Sequence, residues 1–112
     1  MEEITQMAER LGKAIAGSPQ AAALREAREA LSTEKDTTQM LEEYRRQAHK
    51  IAELEADQKP VEPEDKQRLD ELHEKLIATE SFKKLTAAQV EYVDVMRKVN
   101  DALRKHLAET EG

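Results

Sequence analysis

Three histidines, His49, His73 and His106, are the side chains best suited to metal or acid–base chemistry, so their spacing comes first. A di-iron centre in a helical bundle needs two Glu-x-x-His motifs and two further inward carboxylates. The chain offers Asp70-Glu71-Leu72-His73 alone. His49 and Glu53 stand one helical turn apart, but a zinc site needs three or four ligands. Cysteine is absent, which removes disulfides, thiolate ligands, cysteine-held iron–sulfur clusters and cysteine nucleophiles together. The glycines, Gly12, Gly17 and Gly112, form no phosphate-cradling loop, and no Ser/His/Asp constellation stands out. No catalytic, metal or cofactor residue is assigned, and the expectation is a protein that is not an enzyme.

Composition narrows the class further. Eighteen basic and 24 acidic side chains give a net charge of -6, the wrong sign for a protein that gains affinity by neutralising phosphates. Direct nucleic-acid binding is not expected. Sixteen of the apolar residues are Ala, and the aromatics are one Phe and two Tyr. Such a core is thin for a domain of 112 residues, and burial against a copy would supply the missing apolar area. Self-association, as a homodimer, is therefore expected. The first residues lack the basic and apolar regions of a signal peptide, and no 18 apolar residues run together. The reading is cytoplasmic, with no membrane insertion.

The elements that would position any surface are helices throughout. Ile4, Met7, Leu11 and Ile15 recur at helical spacing and predict a helix over 2–16, ended by Gly17-Ser18-Pro19. Ser18 can cap the next helix, 19–31, with Pro19 at its first position. Asp36, with Gln39 three residues on, resembles a capping box and opens a helix over 36–58; Ser32 and Thr33 are the competing caps. Lys59-Pro60-Val61-Glu62-Pro63 then forces a turn, followed by helices over 63–78 and 81–108. The predicted fold is all-α, with about five helices in one domain, 1–112.

Leu41, Tyr44 and Ile51 step along one side of the break, and Leu69, Leu72 and Leu76 along the other. These are the facing seams of an antiparallel hairpin whose charged tip is expected to be solvated and mobile. Phe82, Leu85, Tyr92, Met96, Val99 and Leu103 line the last helix, with Val90, Val93 and Val95 adding apolar surface on other faces. That helix is read as the central element and the main contributor to a dimer or partner interface. The stretch from Glu62 to Ala78 is acidic and Ser81 to Ala108 is basic, which predicts mutual attraction between neighbouring solvated faces.

The order of a short amphipathic helix, the Ser18-Pro19 restart, Leu24 to Leu31, the Asp36 restart, the Tyr44 to Leu54 arm, the proline turn, Leu69 to Leu76 and the Tyr92 to Leu107 stripe resembles the YlbF/YmcA family of small bacterial helical proteins. The resemblance spans about Ile4 to Leu107. It implies a self-associating helical fold without enzymatic activity and a role as an adaptor in regulatory complexes, with an RNA-processing factor as protein partner. It also associates such complexes with an iron–sulfur cluster, to which this chain has no Cys to contribute. The other reading of the residues is a structural or chaperone-like module that clasps clients with its hairpin tip.

Overall fold

The computed structural model describes residues 1–111, and among them there are five helices and no strand. They are α1 (Glu2–Ala16), α2 (Pro19–Ser32), α3 (Lys35–Ala56), α4 (Pro63–Ile77) and α5 (Glu80–Glu111). Their contacts divide into two compact units. One comprises Met1–Arg28 with the chain from Leu85 onward, and the other is Glu29–Lys84.

In the first unit, α1 ends where the sequence places its stop. The Ser18 hydroxyl donates to the Ile15 carbonyl at 2.7 Å and accepts the Ala21 N–H at 3.2 Å, which makes Ser18 the N-cap of α2. Pro19 follows at the first helical position, where its missing N–H costs nothing. Arg25 then reaches back from α2 and donates to the Ala16 carbonyl at 3.0 Å, putting a cation on the negative end of α1. The buried apolar side chains of this unit are Ala21, Leu24, Leu85 and Ala88.

The second unit is the hairpin, in which α3 and α4 lie against one another. Its centre is closed by Ile51, Leu72 and Leu76, the last two at 2% and 0% exposure, while Leu41, Tyr44 and Leu69 are half-buried along the same seam. Tyr44 also meets His73, with ring centroids 5.9 Å apart. Polar bonds fix the antiparallel register. Arg68 pairs with Glu43 at 2.9 Å, and Asp65 takes Lys50 Nζ at 2.9 Å while its main-chain carbonyl accepts Gln47 Nε2 at 2.9 Å.

The ends of α2, α4 and α5 fall within one to three residues of expectation, and both boundaries of α3 also differ. The third helix begins at Lys35 with Glu34 as its N-cap, so Asp36 lies inside the first turn and is not the cap. Glu34 makes no side-chain bond to the free N–H groups of the helix; instead one of its carboxylate oxygens accepts the hydroxyls of Thr37 at 3.1 Å and Ser81 at 2.9 Å, tying the starts of α3 and α5 together. Ser32 and Thr33 bond back to carbonyls three residues upstream instead of capping forward. At its other end α3 stops at Ala56, because Gln58 adopts φ 57° and closes the helix. Lys59 N–H bonds the Leu54 carbonyl and Gln58 N–H the Glu55 carbonyl, the paired bonds of a Schellman motif. The tip from Glu55 to Pro60 is exposed, as expected of its charged residues.

Candidate interaction surface

The side chains that a helix leaves uncovered are its available chemistry, and here they are apolar at both ends of the first unit. None of the residues of α1 is buried. Ile4, Met7 and Leu11 retain 67%, 54% and 37% exposure, although their spacing places them on one stripe. On α5, Leu103 and Leu107 retain 49% and 54%. Leu11 and Gln20 line an open groove of about 530 Å³ together with Val95, Val99 and Leu103 of α5, so α1 and the C-terminal half of α5 present apolar surface side by side. Large uncovered apolar patches mark sites where another surface docks.

The six contact residues expected on α5 are divided by the structure. Leu103 is exposed, Phe82, Tyr92, Met96 and Val99 are half-covered, and Leu85 is buried. Leu85 is corrected accordingly: buried at 5% exposure, it serves the chain's own core and is not available as a contact residue. On the other faces of α5, Val90 and Val93 stand 64% and 63% exposed, and its buried residues, among those described, are Leu85 and Ala88. The α1 stripe belongs with the exposed surface, although in the sequence the same spacing serves only as a helix signal. A one-sided row of large apolar residues between polar flanks is the sequence feature that points to it.

Charge is arranged differently from the expected attraction between an acidic fourth and a basic fifth helix. Among the described residues, α4 pairs with α3 through Asp65–Lys50 and Arg68–Glu43, while Arg97 and Lys98 pair with Asp94 of their own helix. The Lys50 hydrogen bond holds the Asp65 carboxyl below its ordinary value of 3.8, helped by Gln47 and opposed by partial burial. A carboxyl whose folded value is depressed contributes stability that is complete above the unfolded value and is lost as pH falls through the folded one. Asp65→Asn is therefore expected to weaken the hairpin at pH 7 and to flatten the stability profile below pH 3.8, which thermal melts between pH 7 and 2 would show. The His49–Glu53 pair, at 2.9 Å, lies in the open at 74% and 66% side-chain exposure, and no cluster of three potential metal ligands exists among the described residues.

The chain is thus a small helical protein with a polar-clasped hairpin and uncovered apolar stripes. The family model described as control of competence regulator ComK, YlbF/YmcA, matches residues 4–108, and the chain belongs to that family. A solved structure titled as a protein of unknown function (DUF964) from Bacillus stearothermophilus has the same fold, with a TM-score of 0.79 at 17% identity over 97% of this chain and 96% of that one. No curated protein matches the chain in sequence. Among the described residues, no helix is long and apolar enough to cross a membrane.

Proposed function

We propose that the protein is a non-enzymatic regulatory adaptor that forms a homodimer in the cytoplasm and acts by presenting helical faces to a protein partner. The observation that carries this reading is the uncovered row Ile4, Met7 and Leu11 beside Leu103 and Leu107. Side chains of this size each yield about 1.5–3 kcal/mol on full burial, so a copy or partner that covers them gains more than a further fold within the chain has supplied. Membership in a family described by control of the competence regulator ComK agrees with a regulatory role. An RNA-processing factor is the proposed partner class, resting on the family resemblance, with the contact made through protein and not through nucleic acid.

The chaperone-like reading is the weaker one. A client-clasping tip needs exposed apolar residues, whereas Asp57, Gln58, Lys59, Glu62 and Glu64 surround the half-buried Val61. The test is the solution mass by light scattering across a concentration series, paired with binding to purified RNA-processing proteins. A dimer that binds one of them supports the adaptor. A monomer at every concentration, with no such binding, removes the reading.

A further inference from the structure

The exposed stripe of α1 carries a charge pattern that selects its occupant. Glu3 and Arg10 precede Ile4 and Leu11 by one residue each, so both lie on the same flank of the stripe, two turns apart. The opposite flank carries Ala8 and the half-buried Ile15, without charge. When two such helices pair in parallel, the charged flank of one meets the uncharged flank of the other. When they pair antiparallel about a two-fold axis near Gln6 and Met7, like flanks meet, and Glu3 of each copy lies across from Arg10 of the other. The antiparallel arrangement also sets Ile4 of each copy against Met7 of the other.

We infer that α1 is the dimer contact, pairing antiparallel with α1 of a second copy. The inference rests on the homodimer reading above and assigns it a surface. A self-complementary patch of this kind is what a two-fold interface requires, since each residue must meet its counterpart twice. Area argues the same way for a contact broader than α1 alone. A stable interface buries about 1,200 Å² or more in total, beyond what two four-turn helices supply, and the adjoining groove at Val95, Val99 and Leu103 extends the apolar floor.

Charge reversal tests it in the full chain, with dimer dissociation followed by sedimentation at low salt and folding followed by circular dichroism. Either Glu3→Arg or Arg10→Glu creates two like-charged pairs per dimer and is expected to raise Kd about tenfold or more with helicity retained, whereas the double variant restores wild-type Kd. Met7→Glu is expected to dissociate the dimer whatever the helix direction. A wild-type dimer whose Kd is unmoved by these changes, or a double variant as weak as the singles, overturns the α1 pairing and leaves the adaptor reading standing. A wild-type monomer overturns the homodimer reading and the pairing together.

Discussion

Leu76→Ala is expected to destabilise the hairpin by about 3–4 kcal/mol, from the apolar carbons removed from burial plus the cavity they leave. Leu76 has no exposed surface, and Leu72, one turn earlier, has 2%. The two lie on the face of α4 that meets α3, so the space opened by truncation is walled by helices whose register is held by the Asp65 and Arg68 pairs. Partial collapse is resisted, and the cavity contribution persists. Ile77 provides the control within the same turn: it is 44% exposed, so Ile77→Ala removes less burial than Leu76→Ala and leaves no enclosed cavity, while improving helix propensity. Urea unfolding of the two variants should separate them by at least 2 kcal/mol, about the lower end of the range for truncating a buried leucine. Equal midpoints would mean that the α3–α4 seam is not the core of that unit.

The second large effect belongs to the other unit. Leu24→Ala is expected to cost about 2–4 kcal/mol and to lower the melting temperature by on the order of 10–20 °C. The loss falls on a unit with little to spare. Its buried apolar residues among those described are two leucines, Leu24 and Leu85, and two alanines, Ala21 and Ala88. Leu24→Met keeps the volume and is expected to cost less than about 1.5 kcal/mol. A melting temperature that Leu24→Ala leaves unchanged would show that stability in this unit comes from elsewhere. The thinness of this core has a counterpart outside it, where large apolar residues stand uncovered on α1 and on the C-terminal half of α5.

Secondary structure was legible in the sequence because local physics sets it. Pro19 and Pro63 can sit at the first position of a helix and nowhere deeper without breaking it, and both open helices as expected. Ser18 supplies a cap whose bond the structure shows. The hairpin seam was legible for a related reason, since apolar residues at steps of three and four must share a face. The start of α3 was less so. Asp36 and Glu34 are both acidic near the same turn, and Glu34, whose carboxylate accepts the hydroxyl of Ser81 47 residues away, stands at the N-cap. Nothing within a turn of Glu34 announces that donor.

The sequence by itself determined five helices, their breaks, the absence of cysteine chemistry and a supply of large apolar residues too small for a thick core. These follow from backbone geometry, capping and composition, which act within a few residues. Tertiary structure alone decided which apolar residues the chain buries and which it leaves exposed. Leu85 and Leu103 look alike in a helical stripe, yet one is buried and the other half exposed. Periodicity gives a side chain its direction, whereas burial depends on whether a distant helix arrives there. In this chain that difference divides buried core from uncovered apolar surface.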